Sequence, residues 1–142
     1  MLSRREAIVG VATASTLAIA GCSSSDPDKE EIRNVMQQQA EAMEAGDIEE
    51  YMDTMHPESP AYDRTRSSLQ QLLSQYNFQI EYEINSIEID GDTATADVTQ
   101  ETRIEDPDPD FQANRITVTN EFRTYDGDWY LYDSTTESVE RL

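Results

Sequence analysis

Between residues 29 and 77, apolar side chains recur every three or four positions, the spacing that places them on one face of a helix. Gly46 ends the first such stretch, because glycine lowers helix stability and favours the end of a helix. The predicted buried face of this first helix is formed by Ile32, Val35, Met36, Gln39, Ala40 and Met43.

The same spacing predicts a second and a third helix. The second begins at Asp47, with Glu50 at the spacing of a capping box, and should end near His56 because a proline follows. The segment Pro57–Arg66 contains two prolines and is predicted to be irregular. The third helix ends at Asn77, and its apolar face is formed by Leu69, Leu72, Leu73 and Tyr76.

From Phe78 onward the apolar period changes from about three or four to two, the pattern of strands with one buried face. The alternation changes parity after Ile84, so we expect a β-bulge near Asn85 and Ser86. Asp-Gly-Asp turns at residues 90–92 and 126–128 separate strands. The predicted strands are Phe78–Ile89, Thr93–Ile104, Arg115–Tyr125 and Trp129–Asp133.

Helices followed by a meander of strands predict an α+β fold. We expect three N-terminal helices packed on one face of a curved antiparallel four-stranded sheet. The bulge should bend the first strand and make the sheet curl. The concave side could then contain a cavity that the helices only partly fill.

The N-terminus has the layout of an export signal, since Ser3-Arg4-Arg5 precedes the uncharged apolar run Ala7–Ala20. This run is shorter than the ~20 residues that span a bilayer, so a retained transmembrane helix is the weaker interpretation. The arginine pair resembles a twin-arginine signal, and Ile19–Cys22 resembles a lipobox, where a lipid is attached to the cysteine. The chain contains no second cysteine, so Cys22 cannot form an intrachain disulfide.

These features predict three segments: a twin-arginine signal peptide of lipoprotein type at residues 1–21, a tether at 22–28 and a folded domain at 29–142. The protein would be exported and anchored to the outer face of the cell membrane through a lipid on Cys22.

The amino-acid composition shows that the chain is strongly acidic. The chain has 142 residues, a formal net charge of −20 and one lysine. Such a surface repels nucleic acid and anionic headgroups, so no nucleic-acid partner is expected. Acids that are spread along the whole chain are typical of proteins from extreme halophiles, where molar salt screens their repulsion. The alternative explanation of the acidic composition is a surface that binds a basic ligand.

Two short motifs carry a resemblance to a known fold family. Residues Ala42–Pro57 have the sequence AMEAGDIEEYMDTMHP, and Asp126–Tyr132 have the sequence DGDWYLY. Together with the element order, they resemble the nuclear transport factor 2-like superfamily, whose cone-shaped fold includes ketosteroid isomerase, scytalone dehydratase and SnoaL-like cyclases. The resemblance covers roughly Lys29–Thr136 and implies the fold. It does not select among isomerases, dehydratases, cyclases and proteins without known activity.

Polar residues that interrupt apolar faces are candidates for a binding pocket, since a buried polar group without a partner is destabilising. His56 could act as a base, although its place at a helix end favours contact between its ring and free carbonyl groups. Trp129 is favoured as a core and edge residue over a ligand contact. The predicted pocket residues are Tyr51, His56, Tyr82, Gln100, Asn120 and Trp129.

Chemistry of the isomerase type needs a carboxylate base and a tyrosine or protonated acid in an apolar pocket. No carboxylate shares the core-facing parity, and Asp53 and Asp63 could approach the cavity or equally face solvent. We therefore favour a lipid-anchored binding or accessory domain for a small apolar ligand, with no cofactor and no catalytic residues identified. The alternatives are an isomerase- or cyclase-type enzyme using a pocket tyrosine and a carboxylate, and a dimer-forming accessory protein with a filled cone.

The opposite sheet face carries charged residues at alternate positions: Glu101 and Arg103 on one strand, Glu121 and Arg123 on another. If these strands pair, cross-strand ion pairs should form. This outer face is predicted either to form a homodimer interface or to face solvent. Asp106–Asp110 begins like a calcium loop, but Phe111 and Thr117 replace the required glycine and glutamate, so no metal site is predicted.

Overall fold

The computed structural model of the protein describes residues 26–106 and 108–142. Contacts separate a first unit, which ends at Glu30, from a second unit, Glu31–Leu142, which contains the sheet. The predicted signal peptide and Cys22 lie outside the described residues. Within the described ranges, no helix combines the length and the apolar character needed to cross a membrane.

Helix α1 spans Pro27–Ala45 and begins two residues before the predicted domain boundary at Lys29. Its start follows from Asp26, whose Oδ1 accepts a hydrogen bond of 3.0 Å from the N–H of Asp28. Pro27 occupies the first helical position, where its fixed φ and missing N–H favour helix initiation. Gly46 follows the helix at φ +72°, a left-handed conformation that glycine adopts without strain.

Helix α2 spans Ile48–Met52. The predicted cap is confirmed, because Asp47 Oδ1 accepts a hydrogen bond of 3.1 Å from the N–H of Glu50. Glu49 and Glu50 lie in the first turn, where the helix dipole favours negative charge.

The predicted end of the second helix near His56 is wrong, since α2 ends at Met52. The next residues pair with a strand instead of continuing the helix. Leu131 donates its N–H to the carbonyl of Thr54 at 2.8 Å, and His56 donates its N–H to the carbonyl of Leu131 at 2.8 Å. The backbone groups that a longer helix would need are therefore used in this short parallel bridge.

Helix α3 spans Tyr62–Gln75, so it begins inside the segment that was predicted to be irregular. Ser59 Oγ accepts a hydrogen bond of 3.1 Å from the N–H of Ala61 just before the helix. Pro60 fixes its own φ and restricts the residue before it, and neither effect prevents the residues after it from forming a helix. The first turn, YDRTR, is mostly polar, and apolar periodicity therefore could not reveal it.

Four antiparallel strands follow in the order β1-β2-β3-β4, with each strand paired to the next. The predicted bulge is confirmed by a shift in the pairing of β1 between Ile84 and Ser86. Three helices followed by this curved sheet confirm the predicted α+β fold. The strands are β1 Phe78–Asp90, β2 Thr93–Ile104, β3 Asn114–Tyr125 and β4 Asp128–Arg141.

Strand β4 is much longer than predicted, because it continues beyond Asp133 to Arg141. All eight added residues, Ser134–Arg141, are exposed, and this stretch therefore lacks the apolar alternation that reveals a half-buried strand. Its position is fixed by backbone pairing with β3, from Asn120 opposite Ser134 to Asn114 opposite Arg141.

The helices pack on one face of the sheet, where the inward-facing strand residues supply most of the core. Phe122, Ile32 and Met52 are the largest fully buried side chains. Trp129 belongs to the same core and is 4% exposed. The other buried core members are Met36, Met55, Leu69, Ile87, Ala94, Ala96, Val98, Val118 and Leu131.

Candidate functional site

A cavity of about 80 Å³ lies between α1, α2 and the inward face of the sheet. Helix α1 contributes residues three or four positions apart, which share one face, and the strands contribute alternate residues. The apolar part of the wall is formed by Met36, Ala40, Met43, Ile80 and Val98. The polar part is formed by Gln39, Tyr51, Tyr82, Gln100 and Asn120.

Gln39 is held in the cavity wall by a short chain of hydrogen bonds. Its Nε2 donates to Thr54 Oγ1 at 2.9 Å, and the Thr54 hydroxyl donates to the carbonyl of Tyr51 at 2.6 Å. Gln39 is 9% exposed and Thr54 is 3% exposed. The turn after α2 therefore fixes the orientation of the Gln39 amide. Its Oε1 accepts no hydrogen bond from any described residue.

Two amide side chains lie on the strands that form the floor of the cavity. Asn120 Oδ1 accepts a hydrogen bond of 2.6 Å from the hydroxyl of Ser134. Gln100 Nε2 donates to Thr102 Oγ1 at 3.2 Å. No partner within the described ranges takes the Nδ2 of Asn120 or the Oε1 of Gln100.

The hydroxyl groups of Tyr51 and Tyr82 form no hydrogen bond with the part of the chain that the structure describes. Burial raises the pKa of Tyr51 to about 12. Removal from water also raises the pKa of Tyr82, and the negative charge of Glu41 adds to that rise. Both tyrosines are thus neutral hydroxyl donors and acceptors at neutral pH.

Among the residues that the structure describes, no carboxylate, lysine, arginine or histidine lines the cavity. Asp53 and Asp63, the acids that could have approached it, are both exposed. Glu44 lies on α1 and accepts a hydrogen bond of 2.9 Å from the N–H of Ile80. Among the described residues, no group of three or more acids, histidines or cysteines is placed to hold a metal ion.

Four of the six predicted pocket residues come together in this wall: Tyr51, Tyr82, Gln100 and Asn120. Gln39 is a cavity residue that was not among the predicted pocket residues, although its position in the sequence carries a signal. Gln39 is a polar residue within the apolar stripe of α1, and such an interruption often marks a buried hydrogen bond.

His56 lies away from the cavity, next to the strand bridge. It is 4% exposed, and its ring meets those of Tyr125, Tyr130 and Tyr132 edge to face, with centroids 5.3–6.3 Å apart. Nδ1 accepts a hydrogen bond of 3.0 Å from the N–H of Glu58. The expected contact with free helix carbonyls is wrong, because α2 ends before His56 and the ring nitrogen binds a later N–H.

Trp129 also lies outside the cavity wall. Its side chain packs in the core, and its backbone N–H donates a hydrogen bond of 2.9 Å to Glu31 Oε2 on α1. The Glu31 carboxylate therefore pairs the Trp129 N–H, which lies two residues before Leu131, the residue of β4 that bridges to Met55. These contacts give Trp129 a role in packing the helix against the sheet.

The outer face carries ion pairs with different partners from those expected. The register places Arg115 opposite both Glu101 and Glu140, and Arg115 reaches them at 2.8 Å and 3.0 Å. The expected pairing of Glu101 and Arg103 with Glu121 and Arg123 is wrong, because threonines of β2 lie opposite those β3 residues. The hydrogen bond from Arg115 holds the pKa of Glu101 below its usual value. Exposed pairs of this kind stabilise a fold only slightly.

Residues 34–142 match the family described as the C-terminal domain of anti-sigma-I factor RsgI9. The chain belongs to this family. Its description names a domain of an anti-sigma-I factor and states no reaction. No curated protein matches the sequence.

Solved structures show that this member of the RsgI9 C-terminal domain family shares its fold with NTF2-like proteins. An NTF2-like protein of unknown function from Shewanella oneidensis has 15% identity and a TM-score of 0.65, over 76% of this chain and 97% of its own. A protein of unknown function with a cystatin-like fold from Nostoc punctiforme has 18% identity and a TM-score of 0.63, over 82% of this chain and 93% of its own.

A third similar structure is a candidate dehydratase of the NTF2-like family from Streptomyces avermitilis. It has 20% identity and a TM-score of 0.65, over 79% of this chain and 97% of its own. At such identities the likeness shows the fold alone, and this fold occurs both in proteins of unknown function and in candidate enzymes.

Proposed function

We propose that this protein is a lipid-anchored, extracytoplasmic domain whose cavity binds a small, mainly apolar molecule without transforming it. The signal peptide at residues 1–21 and the tether at 22–28 would place the domain outside the cell, next to the membrane. The domain would then present its cavity to molecules that reach the cell surface.

The lining of the cavity is the observation that carries the binding role. Five apolar side chains, two tyrosines and three amides surround the space, and none of these groups is a carboxylate or an imidazole. Proton transfer is most efficient with a group whose pKa lies near the working pH, whereas hydroxyls and amides can recognise a ligand by hydrogen bonds. The lining therefore supports binding over isomerase- or cyclase-type chemistry.

A cavity-filling substitution tests the binding role. Ala40 lies in the wall, so Ala40→Leu should fill the space and abolish the binding of cyclopentane, a small apolar probe. Chemical shifts of the Ile80 and Val98 methyl groups would report binding. Ala45→Leu, at an exposed position at the end of the same helix, is the matched control. Equal probe binding by native protein and Ala40→Leu would contradict a ligand site here.

The lipid anchor depends on the Cys22 thiol, which the residues preceding it and the apolar run support as an attachment point. Cys22→Ser removes the sulfur and should release the protein from the membrane fraction, as measured by fractionation and immunoblotting. Ser24→Ala should leave the protein in the membrane fraction. If Cys22→Ser fractionates like the native protein, the anchor is disproved.

A further inference from the structure

Two amide side chains in the cavity wall are nine-tenths buried, and only one of the two polar atoms of each amide forms a hydrogen bond with a described residue. Asn120 is 9% exposed, and its Oδ1 accepts from Ser134, which leaves both hydrogens of Nδ2 without a described partner. Gln39 is 9% exposed, and its Nε2 donates to Thr54, which leaves Oε1 without a described partner. Buried amide groups are normally paired, so a free donor and a free acceptor on two residues that line one cavity need an explanation.

The free atoms are complementary to one type of ligand. Asn120 offers a donor, Gln39 and Gln100 offer acceptors, and the hydroxyls of Tyr51 and Tyr82 can do either. A ligand that only accepts would leave the glutamine oxygens unpaired, and a ligand without polar atoms would leave every one of these groups unpaired. A ligand with a donor and an acceptor would satisfy both kinds of group.

The charge around the cavity favours a neutral ligand. An anion would meet no cationic side chain among the described lining residues, and it would approach the carboxylates of Glu41 and Glu44 on α1. A cation would be attracted by these two carboxylates only from outside the lining, and inside the cavity it would lose its water with no carboxylate among the described lining residues to replace it.

The size of the cavity limits the ligand further. Its volume of about 80 Å³ is smaller than the ~150 Å³ of an engineered apolar cavity that binds benzene. Met36 and Met43 have flexible side chains that can adapt to a small apolar body. The space suits a small ring or one end of a longer molecule.

Building on the proposed ligand-binding function, we propose that the cavity recognises a neutral amide or lactam group carried on a small apolar body. Asn120 Nδ2 donates to the carbonyl of that group, and the oxygen of Gln39 or Gln100 accepts its N–H. The tyrosine hydroxyls complete the polar shell, and the methionine and aliphatic side chains contact the apolar body.

Three ring compounds of nearly equal size test this assignment on the native chain. 2-Pyrrolidone has a donor and an acceptor, cyclopentanone has an acceptor, and cyclopentane has neither. Titration followed by the Ile80 and Val98 methyl shifts should give an affinity for 2-pyrrolidone about tenfold higher than for cyclopentanone, with cyclopentane weaker still. Butyrate, an anion of similar size, should not compete.

Two substitutions test whether Asn120 is the residue that donates a hydrogen bond to the ligand carbonyl. Asn120→Leu should remove the preference for 2-pyrrolidone and raise the thermal midpoint of the ligand-free protein, because an unpaired buried amide is lost. Ser134→Ala, which removes the partner of Asn120 but keeps its donor, should keep the preference.

The outcomes separate the two levels of the proposal. If cyclopentane and cyclopentanone bind as tightly as 2-pyrrolidone, amide recognition is overturned and a general apolar site remains. If none of the three compounds shifts the cavity methyl groups, the binding function and amide recognition are both overturned. The ligand series uses the native protein, and these conclusions therefore do not depend on the folding of a variant.

Discussion

Buried polar side chains have different hydrogen-bond partners in two regions of the molecule, the turn between α2 and α3 and the cavity. In the turn between α2 and α3, Thr54, His56 and Ser59 each bond to a backbone group: Thr54 to Tyr51, His56 to Glu58 and Ser59 to Tyr132. In the cavity, Gln39 and Asn120 bond to side-chain hydroxyls alone, and each keeps one amide end free of described partners.

This difference separates structural polar groups from groups available to a ligand. A side chain that satisfies a buried backbone group stabilises the fold, and its removal leaves that backbone group unpaired. A side chain with an unpaired buried end destabilises the empty fold, so its removal should cost little stability. The turn should therefore be sensitive to substitution and the cavity tolerant.

His56 should give the largest loss of stability. His56→Ala removes a buried ring from among three tyrosines and the acceptor for the Glu58 N–H, so we expect a loss of about 2–4 kcal/mol in the free energy of unfolding. Urea unfolding at neutral pH measures it. Glu58→Ala, which keeps the backbone N–H and changes an exposed side chain, should lie within about 0.5 kcal/mol of the native protein. Equal effects would contradict a structural role for the ring.

Ser59 should give an intermediate loss. Its hydroxyl donates to the Tyr132 carbonyl at 2.6 Å and accepts from the Ala61 N–H at 3.1 Å, so it joins β4 to the start of α3. Ser59→Ala should lower the free energy of unfolding by about 1–3 kcal/mol. Ser74→Ala, at an exposed site within α3, is the control and should change it by less than about 0.5 kcal/mol. Thermal or urea unfolding that ranks the two variants the other way would undermine the comparison.

Tyr51 should give the smallest effect at neutral pH. Its hydroxyl has no partner among the described residues, so Tyr51→Phe should change the free energy of unfolding by less than about 0.5 kcal/mol. The variant should differ from the native protein in alkali. Burial raises the pKa of Tyr51 to about 12 from 10.0, so its neutral form contributes stability below pH 10 that is lost as pH rises towards 12.

Unfolding measured from pH 8 to pH 12 checks this dependence. The native protein should lose more stability than Tyr51→Phe across the upper part of that range. Parallel curves for the two proteins would contradict the raised pKa of Tyr51.

Periodicity predicted the elements well where one face of the element is buried and poorly elsewhere. The bulge of β1, the cap at Asp47 and the limits of β2 follow from apolar spacing and turn chemistry. The beginning of α3 and the second half of β4 have no buried stripe, so their residues carry no periodic signal. Their conformations depend on the Ser59 hydrogen bonds and on backbone pairing with β3.

The candidate site was predicted in part. Strand parity identified Tyr82, Gln100 and Asn120 as inward-facing polar residues, because alternation alone assigns a residue to a face. It could not show that His56 meets tyrosines of β4 instead of the cavity, since that contact depends on the bridge between Met55 and Leu131. The partners of Arg115 depended in the same way on the exact register of the sheet.

The sequence by itself determined the element types, the order of helices and strands, the inward face of the strands and the uncharged character of that face, because each follows from residue spacing along the chain. The tertiary structure alone decided which polar atoms meet a partner. Ser134, Thr54 and Leu131 are far in sequence from Asn120, Gln39 and His56, and the fold brings them together. Hydrogen bonds depend on distances within about 3.5 Å, which no one-dimensional pattern specifies.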